Sequence, residues 1–527
     1  MRDVIIIGGG HNALVAAALL GKAGLKPLVL EQSERVGGCA ITSAIAPGFR
    51  CPALAHAASI DPAIVRALAL ERHGLRIVRP LAAACAPTRD GRALVLWADA
   101  VRAAQSIAGF SARDAERYAP FLSSVARISA VLRALHHVAP PALDDPTAMD
   151  LFELLKAGRA FRGLGKADAY RLLRWMPMAV ADLVGEWFHS EPLGATVAAG
   201  GILGSTLDPR SAGSGALLLL LGAADGHPVA QGWFARGGIG AVAAALSASA
   251  HDSGAEIRTG ASVARILVSD GDAKGVVLSS GEEIPARLVV SGVDPKRTLL
   301  NLVDPMHLSP DFLRRVQNIR ARGTLAKVNY AVSSLPRFAG VGDLDPAALS
   351  GRIRLSDGID AMERAFDVAK YGAVSDDPWM ELTIPSLTDG GLAPEGQHVV
   401  SAYLQYAPHA LRGTTWDAER ALLGRLATRT IASYAPGFEG SVVAQQVITP
   451  LDLERSHGLT GGHIFHGELA LDQYFVTRPL LGWARYATPT RRLYLCGSGT
   501  HPGTGLTGRA GALAAKEILR QRRKVFS

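Results

Sequence analysis

Gly8-Gly9-Gly10 separates the β-branched run Val4–Ile7 from an alanine-rich stretch. Few local arrangements satisfy that order. The apolar run reads as a buried parallel strand, and His11 to Ala23 has helical composition stopped by Gly24. The glycines form the turn between them in the pattern Gly8-x-Gly10-x-x-Ala13. Gly8 permits a tight turn, Gly10 lets a pyrophosphate approach bare backbone, and Ala13 lets the helix pack closely on the strand. The helix N-terminus offers unpaired N–H groups and the positive end of its dipole to phosphate. The segment KPLVLE then reads as a second strand ending in Glu31, twenty-one residues after Gly10, where a carboxylate can accept hydrogen bonds from ribose hydroxyls. The expectation is a dinucleotide-binding unit.

Two further glycine clusters decide which dinucleotide. Arg35-Val36-Gly37-Gly38 lies just past the ribose-binding acid and is foreign to a nicotinamide fingerprint. It resembles the flavin pattern, in which backbone runs close along an extended cofactor and glycine alone leaves room. Near the other end, RRLYLCG reads as a strand from about Arg492 to Cys496, SGTHPGTGLTG as a loop, and Leu506 to about Arg523 as a helix. Gly503-x-Gly505-x-x-Gly508 again sets glycine backbone at a helix N-terminus, suited to an isoalloxazine edge that gathers negative charge on reduction. The two ends of the chain are thus expected to hold the two ends of one non-covalent FAD. Gly497, Gly503, Gly505, Leu506 and Thr507 join Gly8, Gly10, Ala13, Glu31, Arg35, Gly37 and Gly38 in that set, with Val263 from a middle strand. Gly238-x-Gly240 follows GWFAR and no apolar strand, so no nicotinamide site is expected there.

The middle of the chain orders itself around this unit. Helix 239–250 and strands near 256–259, 263–268, 276–278 and 288–290, with an Asp270-Gly271 turn, extend the cofactor domain. Its expected pieces are 1–75, 232–300 and 485–527, and 76–231 with 301–484 form an interleaved α+β cap. Residues 107–190 read as largely helical, interrupted at Pro140-Pro141. The fold class is α/β: a Rossmann-type FAD-binding domain plus this substrate domain. Cys39, Cys51, Cys85 and Cys496 make no Cys-x-x-Cys pair, so neither a metal site nor a redox dithiol is suggested, and a reduced cytoplasmic chain is expected. The Ala216–Leu221 run is too short to cross a bilayer. The net charge of +8 is scattered and comes with no nucleic-acid motif. Its one cluster, Arg520 to Lys524, raises peripheral contact with anionic lipid, against the simpler role of complementing a helix C-terminus.

IIGGGHNALVAAALLGKAG, ERVGGCAIT, PGFRCPALAH, GWFARGGIGAV, TGGHIFHGELALDQYFVTRP and LYLCGSGTHPGTGLTG together resemble the phytoene-desaturase-like FAD oxidoreductases. Within them the chain is most similar to the branch called pyridine nucleotide-disulfide oxidoreductase domain-containing protein 2, although it has no disulfide centre of the Cys-x-x-Cys kind. The resemblance implies a glutathione-reductase-like fold of the amine-oxidase type and redox chemistry at carbon centres of an apolar substrate: desaturation, saturation or flavin-mediated double-bond isomerisation. Two alternatives stay open, an amine oxidase acting on a small polar substrate and a lipid-binding escort of the Rab GDP-dissociation-inhibitor type. The escort would not need the intact Gly8, Gly10 and Glu31. The segment PGFRCPALA passes beside the isoalloxazine in similar proteins, which makes His56 a catalytic candidate. His466 is the second, and Asp472 and Gln473 are set beside it as residues that fix the cap. His501 reads as a loop-shaping residue, and Trp233 and Arg236 are expected to line a substrate cavity.

Overall fold

A computed structural model describes residues 1–143, 146–225, 227, 229, 232–341 and 346–522. Strand Arg2–Ile7 lies at the centre of a seven-stranded sheet. It pairs in parallel with Pro27–Leu30 on one side and with Glu283–Ser291 on the other. Glu256–Arg258 extends the sheet beyond Pro27–Leu30, and Leu493–Leu495 lies alongside Glu283–Ser291, both parallel. The central strands are apolar on both faces because helices cover both, as a parallel sheet requires. Glu283–Ser291 changes partner along its length. Its first residues pair antiparallel with Asp272–Leu278, itself paired with Val263–Ser269, and its later ones run parallel to Arg2–Ile7. The chain thus leaves the central strand in opposite directions, and the crevice at the strands' carboxyl ends is where such sheets bind ligands.

The sheet's strands all fall within 1–75, 232–300 and 485–527. A second, mostly antiparallel sheet of seven strands is drawn from 82–97 and 325–448. Helices at 100–108, 112–136, 148–163, 165–175 and 180–185 stand beside it. The Ala216–Leu221 run lies inside helix Ser214–Asp225 in the buried core of this helical layer. Among the described residues no helix is long and apolar enough to cross a membrane.

One element departs from its expected start. The C-terminal helix runs Arg509–Arg520 and does not include Leu506 or Thr507. Gly508 sits at φ +73°, outside helical space, and the carbonyls of Leu506 and Thr507 instead accept the backbone N–H groups of Ser59 and Asp61 at 3.0 Å each. Arg523 and Lys524 lie outside the described residues.

Candidate active site

The two chain ends are stitched together at the crevice. Asn12 Nδ2 donates to Ser498 Oγ at 3.2 Å, and its Oδ1 accepts the Gly511 N–H at 3.3 Å. Buried Arg509 pairs with buried Asp61 at 2.8 Å. Burial opposes ionisation of Asp61, but the Arg509 guanidinium and the Ala63 N–H hold its carboxyl below the usual range. Between this seam and the cap lies a cavity with about 1840 Å³ of empty space counted out to its open mouth. Gly8, Gly10, Ala13, Glu31, Arg35, Gly38, Val263, Gly505, Leu506, His56 and His466 all line it. Residues more than 490 apart in sequence therefore share one wall.

The glycines separate into two kinds. At Gly10 and at Gly505 an added Cβ meets no protein atom within 4 Å, and both residues face the cavity. Nothing in the protein demands glycine at Gly10, so the demand there comes from what the cavity receives, whereas Gly505 also sits at φ +78°, which by itself favours glycine. Gly37, Gly497 and Gly503 differ: they are off the cavity wall and packed against the protein itself. A Cβ on Gly37 would come within 2.8 Å of the Ala40 carbonyl, one on Gly497 within 2.6 Å of the Gly292 carbonyl, and one on Gly503 would collide with the Arg478 guanidinium. Thr507 is also away from the wall, buried, with its hydroxyl accepting the Arg509 N–H at 3.4 Å.

Glu31 is buried at the end of its strand. Its carboxylate accepts the Gly9 N–H at 2.6 Å and the Ser33 N–H at 2.9 Å, which locks the turn to the second strand and orients the remaining lone pairs at the cavity. Among the described residues it is the one carboxylate on the wall, which also carries Arg35, Arg297 and Arg352. The wall therefore favours anionic over cationic groups.

The wall also carries an apolar set, Leu54, Leu203, Leu221, Ala224, Ile464 and Phe465. Three histidines, His11, His56 and His466, share the wall with a fourth, His457, whose Nδ1 is also unpartnered. Both ring nitrogens of His56, Nε2 of His11 and Nδ1 of His466 are buried without a hydrogen-bond partner. Burial pushes all three imidazoles down: His11 to about 3 with the help of His466, His466 to about 4, and His56 well below its ordinary value with Lys327 and Arg352 adding to the effect. All three are neutral at physiological pH. The His56 ring stacks on Tyr403 with centroids 3.8 Å apart, and the Tyr403 hydroxyl accepts the backbone N–H of His56 at 3.2 Å while donating to the Leu54 carbonyl at 2.7 Å. Behind them buried Lys327 also donates to the Leu54 carbonyl, 4.9 Å from the Tyr403 ring centroid, its ammonium pushed down to about 7 by burial.

The expected substrate-lining pair lies elsewhere. Trp233 packs in the core of the cofactor domain, where its backbone N–H donates to Ala58 at 2.8 Å, and Arg236 is exposed to solvent. Its neighbour Gly232 is the residue of that segment on the wall. Asp472 and Gln473 bond to Arg320, inside the cap. The tie from cap to flavin strand is Arg478, which is fully buried and donates to the carbonyls of Glu468, Gln473, Phe465, Gly467 and Ser498. His501 is off the wall, bonded to the Leu135 carbonyl at 2.9 Å. Sequence reading missed His11 and Asn12, which stand inside the first glycine motif, and Arg352 and Tyr403, which come from separate cap strands with no local signature.

Residues 199–519 match the family described as flavin containing amine oxidoreductase, and residues 6–69 match an NAD(P)-binding Rossmann-like domain. The chain belongs to the flavin-containing amine oxidoreductases. Over 98% of its length, and 93% of the other's, it is 36% identical to the rat pyridine nucleotide-disulfide oxidoreductase domain-containing protein 2. A more distant relative is the lycopene-forming phytoene desaturase of Pantoea ananas, 25% identical over 98% of each chain. Among solved structures, putrescine oxidase bound to putrescine shares the fold, with a TM-score of 0.59 at 15% identity over 98% of this chain and 99% of that one. This member of the flavin-containing amine oxidoreductases is an FAD-dependent oxidoreductase of the amine oxidase and desaturase superfamily, and Gly10, Gly505 and Glu31 fit FAD.

Proposed function

We propose that the protein oxidises, reduces or isomerises carbon–carbon bonds of a mostly apolar substrate. The observation that carries this reading is the cavity lining: Leu54, Leu203, Leu221, Ala224, Ile464 and Phe465 beside neutral histidines, with Glu31, already bonded to the Gly9 and Ser33 N–H groups, as the one carboxylate among the described residues. A cationic amine would lose hydration there and, among the described residues, find no carboxylate on the wall other than Glu31 to replace it. The name of the phytoene desaturase relative agrees with an apolar substrate. In this reading Gly8 to Gly10 and the N-terminus of helix His11–Lys22 take the diphosphate, Glu31 takes a ribose, Arg35 and Val263 flank the nucleoside end, and Gly505 with Leu506 borders the ring. FAD supplies a hydride acceptor or donor when bound. The chain's own residues do the rest. The aliphatic wall excludes water and holds a double bond in line. Neutral His56, fixed by its stack on Tyr403, offers a ring nitrogen to the proton that leaves or joins the adjacent carbon, and His466 Nδ1 offers a second.

The test is anaerobic mixing of the purified flavoprotein with long-chain alkenes and polyenes in detergent, and separately with putrescine and longer diamines, while the flavin absorbance is followed. Saturable spectral change or bleaching with the alkenes alone is expected. Bleaching by a diamine with the alkenes silent would overturn the reading in favour of an amine oxidase.

A further inference from the structure

Helix Ala148–Gly163 and helix Gly165–Trp175 form a hairpin on the outside of the cap. The first is turned inside out relative to an ordinary surface helix. Ala160, Phe161 and Leu164 pack against the cap core, yet Leu151, Phe152, Leu154 and Leu155 are exposed, Phe152 by 61% and Leu155 by 73%. Leu143 just before it, and Tyr170 and Leu173 on the second helix, are exposed as well. Scattered exposed leucines are ordinary, but so many large apolar side chains on one short hairpin mark an interaction surface.

The charges on the hairpin say what it meets. Lys156, Arg159, Arg162 and Lys166 make no ion pair among the described residues. Two of the three acids are turned inward. Asp150 closes a capping box with Thr147 and pairs with Arg485 at 2.7 Å, and Asp168 is held by Arg127 at 2.5 Å and Arg171 at 2.9 Å. The outer face therefore presents leucine and phenylalanine beside unneutralised cations. A second copy of the chain would bring this positive face against itself.

We propose that the hairpin 148–175 seats the protein on an anionic lipid bilayer, with Leu151, Phe152 and Leu155 in the headgroup boundary and Lys156, Arg159 and Arg162 against lipid phosphates. On this face exposed Leu151, Phe152 and Leu155 are interleaved with Arg159 and Arg162, so an anionic bilayer surface would satisfy the apolar side chains and the cations together. The hairpin is rigidly placed for the role. Arg485 bridges Asp150 to Glu517 at 3.3 Å, Glu517 holds Arg520 at 2.8 Å, and a groove lined by Leu143, Thr147, Arg520 and Arg522 joins the hairpin to the C-terminal helix. Helix Ala112–His136 packs between the hairpin and helix Ser214–Asp225, whose Leu221 and Ala224 reach the cavity wall. The docking face thus lies on the cap side of the cavity. The basic tail is secondary: Arg520 is already spent on Glu517.

Co-sedimentation of the FAD-loaded protein with phosphatidylcholine vesicles, with and without phosphatidylglycerol, at low and high salt, tests this. Wild type should pellet with the phosphatidylglycerol vesicles at low salt and be released by high salt. Leu151→Ser/Phe152→Ser/Leu155→Ser and Lys156→Glu/Arg159→Glu/Arg162→Glu should each bind more than tenfold more weakly, and Arg520→Ala/Arg522→Ala should lose less than either. Unchanged flavin content and circular dichroism in each variant separate lost docking from a lost fold and from a failure of the flavin assignment. Wild type that stays in the supernatant, helix variants that bind as well as wild type, or loss confined to the tail variant would each overturn the proposal. So would a dimer in light scattering that the serine variant dissolves while vesicles bind neither form, since that outcome assigns the face to a second copy.

Discussion

The glycines at this site are not equivalent, and substitution should sort them. Gly10→Val places a side chain in cavity space without touching the protein, so it should yield a folded chain with little or no FAD, whereas Gly505→Val also strains a backbone at φ +78° and should lower both flavin content and stability. Gly37→Ala should instead lower stability with flavin loss following unfolding, because φ is +133° there and the new Cβ meets the Ala40 carbonyl. Thermal unfolding monitored beside flavin fluorescence separates the two behaviours. Glu31→Ala removes a charged acceptor and also releases the Gly9 and Ser33 N–H groups, so FAD affinity should fall by roughly ten- to a hundredfold. His56→Ala should leave FAD content intact and lower turnover on the alkene substrate by about 10²–10⁴ if its ring moves the proton. An unchanged rate would reduce His56 to a wall residue.

At the scale of elements, the strand–turn–helix units at both ends were legible because each carries a complete local signal: a short apolar run, a glycine-rich turn and an alanine-rich helix, with β-branched residues in the first run. The start of the last helix was not. Its boundary is set by long-range hydrogen bonds from Ser59 and Asp61 that no local pattern encodes. Trp233 was misplaced for a similar reason, since a tryptophan beside glycines suits a cavity wall as well as a core. The segment that closes the cap onto the flavin strand hangs on Arg478, a single side chain with five carbonyl partners. Arg478→Met keeps much of the volume but orphans those carbonyls, at about 1–3 kcal/mol for each that finds no water. A clear drop in thermal midpoint is expected, together with faster proteolysis within 463–480. A midpoint equal to wild type would mean that the cap is held elsewhere.

The whole molecule folds around an unusual number of buried neutral imidazoles. His11, His56, His136, His466 and His501 all have values pushed far down by burial. Their folded values lie below the unfolded value near 6.5, so between the two the unfolded chain binds more protons and stability falls as pH drops. Each contributes up to about 2 kcal/mol of loss between pH 6.5 and 5. The thermal midpoint should therefore decline over that window, before carboxylates titrate, and His501→Asn should flatten the decline; a midpoint level from pH 7 to 5 would contradict these environments. The division into interleaved pieces was legible in the helix and strand pattern of 232–300 together with the glycine motifs at the two ends, but the cavity depends on cap strands that meet only in three dimensions. That both chain ends build one FAD site is the claim on which the rest stands, and flavin stoichiometry tests it most directly. Wild type should carry one FAD per chain, released into the supernatant by acid, with Gly10→Val folded and both it and Gly505→Val nearly colourless. Wild-type flavin content in either variant, or a colourless wild type that takes up no added FAD, would contradict the account.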